Sequence, residues 1–429
     1  MTLELDTHGH PEAIPHAGRP RRGACRFCGE PLRHVVTDLG MSPLCESYLS
    51  ADELDRMEPF YPLVVRVCDR CFLVQLDEFV SGEDIFRDYA YFSSYSDSWL
   101  DHCRRYADAM VERLGLHGGS RVVEVASNDG YLLQYFVERG IPALGIEPAR
   151  NVARVAAERG IETITEFFGV ELATRLAAEG RTADLLAGKN VLAQVHDLND
   201  FVAGLAILLA DEGTLTIEFP HLVRLIEGLQ FDTIYHEHFS YFSFSSAETV
   251  LRAHGLRIHD VEEVPTHGGS LRVHASHERA GRKRTARVAE LRRAERDLGV
   301  ETLAYYASFD ERVKETKRKL LDFLIRARRE GRSVAGYGAP GKGNTLLNYC
   351  GIRTDFLDFT VDRSPHKQGR FLPGTHIPIH APEKIFEARP DYVLILPWNL
   401  KEEIVAQLEG IREWGGRFVV PIPEPTVLP

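Results

Sequence analysis

The chain has 429 residues, room for roughly three domains at about 150 residues each. It is 44% hydrophobic and 27% charged, as ordinary globular proteins are, and its 51 basic residues against 63 acidic give a net charge of -12. The basic residues are dispersed, which argues against nucleic acid as a partner; no apolar run nears the roughly 18 residues of a membrane helix and the N-terminus has no leader pattern, so no membrane partner and a cytoplasmic location are expected.

Residues 1–22, with Pro11, Pro15, Pro20 and three histidines, are expected to be a disordered tail. Residues 23–80 then hold two cysteine pairs, Cys25-x-x-Cys28 and Cys68-x-x-Cys71, with a strand at Leu63–Val67 leading into the second. Four thiolates can close a tetrahedral zinc site with no position left for water, so the ion is read as structural. The competing reading is two adventitious CxxC turns. Cys45, Cys103 and Cys350 lack such partners and read as buried thiols.

From 96 to 280 helix and strand alternate: helix Trp99–Leu114, strand Arg121–Val125, helix Gly130–Arg139, strand Ala143–Glu147, strand Ala183–Ala187, helix Asn199–Leu209, strand Gly213–Phe219. Such alternation predicts a parallel sheet covered on both faces. A charged, mostly helical connector occupies 281–332, and 333–429 repeats the alternation as a second open α/β layer, with strands at Ser333–Gly338, Phe356–Asp362, Tyr392–Leu396 and Arg417–Val420.

Four segments carry chemistry. Glu124-Val-Ala-Ser-Asn-Asp-Gly130 turns from a strand into a helix, and Glu147 ends the next strand, where an acid can grip ribose hydroxyls. Ala126 and Asn128 stand where a dinucleotide fingerprint has glycines, which favours a phosphate-free cofactor such as S-adenosylmethionine over NAD, with an empty tight turn as the alternative. In Tyr235-His-Glu-His238 an imidazole suits proton transfer near neutral pH; His236-x-His238 could also bind metal, or be core histidines. Gly336-Tyr-Gly-Ala-Pro-Gly-Lys-Gly343 matches a phosphate loop except at Gly343, where Ser or Thr would hold magnesium; with Lys342 and Asn344 it is either a diphosphate cradle or a plain turn. Thr266-His-Gly-Gly-Ser-Leu-Arg272 is a place for ligand approach or a bend before a strand.

These segments, with Asp88-Tyr-Ala-Tyr-Phe-Ser-Ser-Tyr95 and Asn190-Val-Leu-Ala193, occur in an order that resembles the deoxysugar C-methyltransferases of antibiotic biosynthesis from Cys25 onward. The resemblance implies a zinc-binding module, a central Rossmann-like methyltransferase domain that binds S-adenosylmethionine, and a C-terminal α/β domain that helps hold a nucleotide-linked sugar. It implies a dTDP-4-keto-deoxysugar methylated at carbon 3, or at carbon 5 in other branches. By analogy His238 is the base, Tyr235 steadies the oxyanion, Glu237 orients base or sugar, and Tyr91 reaches in from the N-terminal side. Glu124, Ala126, Ser127, Asn128, Asp129, Gly130, Glu147, Pro148, Asn190, Val191 and Leu192 would surround the cofactor. Gln194, His267, Gly268, Gly269, Ser270, Lys342 and Asn344 would meet the sugar nucleotide. Gln194 stands where relatives commonly have histidine, and glutamine cannot titrate. Competing functions are a nucleotide-sugar oxidoreductase or epimerase, a sugar O-methyltransferase, and a zinc-organised ligand-binding protein.

Overall fold

The computed structural model describes residues 22–82, 85 and 93–428, so the expected N-terminal tail and Tyr91 lie outside the described residues. Three sheets organise these residues.

The first grows from two matching knuckles. Gly29 N–H returns to the Cys25 carbonyl at 2.9 Å and Phe72 N–H to the Cys68 carbonyl at 3.1 Å. Both turning residues take positive φ, 76° and 54°, which curls the chain so that cysteines three apart face one point. Between the knuckles run antiparallel strands β1 (His34–Ser42) and β2 (Tyr61–Val67); β3 (Val74–Leu76) follows the second. Leu63, Val65 and Val67 alternate inward on β2, the period of a half-buried strand.

The central sheet starts with parallel strands β4 (Val122–Val125), β5 (Ala143–Ile146), β6 (Glu162–Ile164), β7 (Ala183–Lys189) and β8 (Leu209–Pro220). Helix Asp97–Leu114 precedes them. Ser96 Oγ accepts the Trp99 N–H at 3.3 Å to start it, and Gly115 at φ 62° ends it. After β8 the chain leaves the sheet: β9 (Ser240–Tyr241) pairs with β3 instead and completes the first sheet. β10 (Leu256–Val264) and β11 (Ser270–His277) then return, giving the order β10-β11-β8-β7-β4-β5-β6. Both run antiparallel to their neighbours, so they extend the expected parallel sheet with an antiparallel edge. The turn Pro265–Gly269 is too short for a crossover helix, so β10 and β11 can only be antiparallel. The helix expected at Gly130–Arg139 contracts to Gln134–Val137.

Helices Ala286–Leu298 and Phe309–Arg329 fill the expected connector, and the first does more than connect. Buried Glu295 accepts the Phe244 and Ser245 amides at 2.6 and 2.8 Å, capping helix Phe244–Ala253, and meets His221 Nε2 at 2.7 Å. The last sheet comprises β12 (Val334–Tyr337), β13 (Thr360–Val361), β14 (Ile379–His380), β15 (Tyr392–Ile395), β16 (Arg417–Val420) and β17 (Thr426–Val427). It is parallel except at β17. The fold is thus α/β with a small four-cysteine module.

That module is a wedge. Cys25, Phe27, Cys68 and Leu73 share an apolar core with Val123, Leu186 and Phe219 of the central domain. On its other side Val36, Leu63 and Val65 share a core with Leu346, Leu372 and Leu394 of the C-terminal domain. Among the described residues no helix is long and apolar enough to cross a membrane.

Candidate active site

The four knuckle sulfurs converge. Cys25 and Cys71 Sγ are 3.5 Å apart, Cys28 and Cys68 3.5 Å, Cys28 and Cys71 3.7 Å. Zinc–sulfur bonds of about 2.3 Å in a tetrahedron place sulfurs about 3.8 Å apart, so the set fits zinc with all four positions filled. Asp260, Glu262 and His274 form a second cluster of metal-ligating types. Its charge is already answered: Asp260 meets Arg113 at 2.7 Å and Arg287, Thr285 at 3.0 and 2.7 Å, and Glu262 meets Arg272 at 3.1 Å.

The loop after β4 is tightly wound, with Ala126 and Asn128 at φ 59° and 48°. Glu147 pins it: one carboxylate oxygen accepts the Asn128 amide at 2.9 Å and the other the Ala149 amide at 2.8 Å. Burial pushes the Glu147 carboxyl up to about 7 against those two bonds. Asn128 Oδ1 accepts the Ser93 amide at 3.0 Å, and Asp129 Oδ2 takes the Ser94 amide at 3.3 Å and its hydroxyl, so the segment that follows Tyr91 docks on this loop. Two residues of this loop pack closely against protein. Ser127 Oγ is fully buried against Gly145, whose added Cβ would meet it at 2.4 Å, and a Cβ on Gly130 would meet Ile161 Cδ1 at 2.3 Å. Pro148 is half-buried beside Glu147; Val191 and Leu192 are buried.

What remains open is a set of acceptors. No hydrogen bond of good geometry reaches either Glu124 oxygen, Asp129 Oδ1 or Asn190 Oδ1. Burial holds the Glu124 carboxyl well above its usual range, although the Tyr131 hydroxyl and Lys189 favour its charge. Ribose hydroxyls and an ammonium are donors and suit these acceptors; a phosphate brings further acceptors and does not. The site therefore fits S-adenosylmethionine.

In the segment Asp232–Tyr241, His238 Nδ1 lies 3.0 Å from the Thr233 carbonyl, an arrangement that places the ring proton on Nδ1 and leaves Nε2 as an acceptor. Burial lowers this imidazole to about 4, with the charges of His267 and Lys342 adding to the effect. The Tyr235 ring packs 4.1 Å from it, and burial, Cys45 and Glu237 keep the Tyr235 hydroxyl protonated. Glu237 Oε1 accepts from Cys45 Sγ at 3.4 Å. His236 faces away: its Nε2 lies 3.2 Å from the Pro62 carbonyl, which removes the His236-x-His238 metal pair. Gln194 sits half-buried on the turn Leu192–Gln194, and the neighbouring His196 pairs with Glu78.

The glycines of the two remaining motifs are occupied by protein. A Cβ on Gly268 (φ +89°) would meet Trp398 at 2.5 Å, and one on Gly269 would meet Arg224 at 2.8 Å; the pair is the bend before β11, which Ser270 begins. In the glycine-rich turn, Cβ atoms on Gly338, Gly341 and Gly343 would meet Pro397, Cys45 and Leu396 at 2.5, 2.9 and 3.0 Å. This is a packed turn rather than an open phosphate cradle. Asn344 Nδ2 donates to the Cys45 carbonyl at 2.6 Å. Lys342 Nζ donates to Asn399 Oδ1 at 2.7 Å, lies 4.7 Å over the Trp398 ring and shares its charge with Asp232.

Three groups were missed in the sequence. Asp232 stands just before the histidine motif, with no spacing of its own to mark it. Trp398 has no motif at all. Glu218, at the end of β8, is 1% exposed and gathers Lys189 at 2.8 Å, His102 at 3.0 Å, Arg272 at 3.0 Å and Thr266 at 3.0 Å. Burial pushes Glu218 up, but Lys189, His102 and Arg272 together hold it well below the carboxylate range. Next to it, Asn190 N–H donates to the Glu218 carbonyl at 2.7 Å, and Asn190 Nδ2 lies 2.9 Å from His267 Nε2.

Residues 25–86 match the family described as "Putative zinc binding domain", 99–261 "Methyltransferase domain", and 265–423 "C-methyltransferase C-terminal domain". Among solved structures, the PH0226 protein from Pyrococcus horikoshii OT3 is 14% identical, covers 46% of this chain and 99% of its own, and gives a TM-score of 0.37. Magnesium protoporphyrin IX methyltransferase (ChlM) from Synechocystis PCC 6803 with bound SAM is 16% identical, covers 47% and 99%, and gives 0.35. The C-methyltransferase NovU of Streptomyces niveus is 40% identical over 407 residues, 94% of this chain and 96% of the relative. The chain belongs to the S-adenosylmethionine-dependent C-methyltransferases that carry an N-terminal zinc-binding domain and a C-terminal C-methyltransferase domain.

Proposed function

We propose that this C-methyltransferase acts on a dTDP-linked 4-keto-deoxysugar at carbon 3, with His238 as the base. The observation that carries the reading is the buried, neutral His238, fixed through Nδ1 on the Thr233 carbonyl and stacked near a protonated Tyr235. A carbon accepts a methyl group only as a carbanion equivalent, and a neighbouring ketone supplies one by holding the charge as an enolate. S-adenosylmethionine supplies an electrophilic sulfonium methyl group and needs no metal for that.

The residues do the rest. His238 Nε2 takes the proton from the carbon beside the ketone. The Tyr235 hydroxyl donates to the enolate oxygen, and the Lys342 ammonium offsets its charge; one such donor is worth about 3–4 kcal/mol in a site closed to water. Glu147 and Glu124 hold the ribose side of the cofactor, and Glu237 orients the sugar. The helix N-terminus at Gly341 stands behind Lys342.

Incubation with a panel of dTDP-4-ketosugars in D2O tests this. Methylated product at carbon 3, with deuterium entering the substrate at that position, is expected; methylation on oxygen, or carbon methylation without exchange in recovered substrate and with full activity in His238→Ala, rejects it.

A further inference from the structure

The segment that bears His238 is gripped on three sides by the four-cysteine module. His236 reaches the Pro62 carbonyl on β2 at 3.2 Å. Leu76 N–H donates to the Phe239 carbonyl at 3.0 Å, and β3 pairs Gln75 with Ser240 and Val74 with Tyr241. Arg26, the residue after a metal ligand, sends Nη2 to the Leu76 carbonyl at 2.5 Å and Nη1 to the His196 carbonyl at 3.1 Å, with its guanidinium 5.4 Å from the Phe239 ring.

Gln75 stands where these contacts meet the metal ligands. It is 1% exposed. Its Nε2 donates to Cys25 Sγ at 3.2 Å and to the Leu73 carbonyl at 3.3 Å, and its Oε1 accepts the Arg26 amide at 2.8 Å. Its backbone faces Ser240, two residues from His238. One side chain thus bonds a sulfur that would hold zinc, and one strand register separates it from the base.

We infer that Gln75 is a positioning residue that couples the four-cysteine site to β9 and the segment before it that bears His238, so that the filled metal site keeps the base in place. The inference rests on the proposed role of His238. An N–H aimed at a ligating thiolate strengthens that ligand's hold and fixes its direction, as outer-sphere partners of metal sites generally do. The same amide cannot move without shifting β3. A change at Cys25 therefore reaches Ser240 and Phe239 through a buried, fully bonded side chain rather than through solvent.

The test uses the zinc-loaded full chain. Gln75→Leu keeps the volume and deletes the amide. Expected are one zinc per chain, release to the chromophoric chelator 4-(2-pyridylazo)resorcinol at least about tenfold faster, and kcat down about tenfold with KM for S-adenosylmethionine within twofold. Rates are normalised to sites counted by binding of labelled cofactor, so a merely less stable fold leaves kcat per site unchanged. Wild-type kcat, or wild-type release rate, overturns the inference. Should the variant not fold, amide exchange in the wild-type segment 235–241 before and after chelation replaces it. Exchange at least about tenfold faster there, with β10 and β11 unchanged, is expected; equal protection overturns it. A fully active His238→Ala would instead reject the base, and zinc release and amide exchange would still read the coupling.

Discussion

The indole N–H of Trp398 donates to Oδ2 of Asp232 across 2.7 Å, joining the C-terminal domain to the segment that carries His238. The face of the same ring lies under Lys342 and its edge fills the space that Gly268 leaves. Burial holds the Asp232 carboxyl up to about 6 while Lys342 and the indole favour its charge. Replacing Trp398 by Phe removes the donor from a buried carboxylate. Stability should fall by about 1–3 kcal/mol in urea unfolding, and a variant as stable as wild type would show that Asp232 is content without it.

His238→Ala should cut turnover by at least about 100-fold, the low end of what general bases contribute, and leave S-adenosylmethionine affinity unchanged by titration calorimetry. Retained turnover removes His238 as the base.

Lys342→Met should lower kcat by about 100-fold if the ammonium offsets enolate charge. It also has a pH signature. The Lys342 charge lies among the groups that depress His238, so deleting it should raise the His238 pKa and move the acid limb of kcat/KM to higher pH. A limb that stays in place would set Lys342 apart from the base.

Glu147 gives the cofactor-free protein a pH dependence of known sign. Its folded pKa of about 7 exceeds the 4.5 of an ordinary glutamate, so the folded state binds more protons between those values. The contribution is favourable below pH 4.5 and is lost as pH rises through about 7, on the order of 3 kcal/mol. Denaturant titrations of Glu147→Gln should lack that slope between pH 5 and 7. Parallel curves for variant and wild type would place the raised pKa elsewhere.

Gly255 and Gly268 separate conformational strain from crowding. Gly255 has φ +74° with nothing near its missing Cβ, whereas Gly268 has φ +89° with Trp398 at 2.5 Å. Alanine should cost about 1 kcal/mol at the first and about 2–4 at the second, read from denaturant midpoints. Equal losses would mean that Trp398 yields easily.

The local parts of the site were legible in the sequence because their signal is local. Cysteine spacing gives the metal site, and Glu124 with Glu147 gives two adjacent parallel strands and the loop between them. Glycines misled: their motif shows that a side chain is missing but not whether a ligand or Ile161, Cys45 and Trp398 fills the gap. Gln75, Glu218 and Trp398 were invisible for another reason. Each matters through partners far along the chain, and an isolated glutamine, glutamate or tryptophan carries no spacing to read. The antiparallel edge of the central sheet was harder to read because β10 and β11 carry His259, Asp260, His274 and His277 among their apolar residues.

β9 also sets an order of events at the ribosome. The sheet that begins at His34 stays one strand short until Tyr241 has been synthesised, and until then the edge of β3 has no partner. Vectorial synthesis therefore cannot finish the N-terminal module first. The earliest part of the chain waits for the middle, and nascent protein halted before residue 240 would expose a bare strand edge open to pairing with other chains.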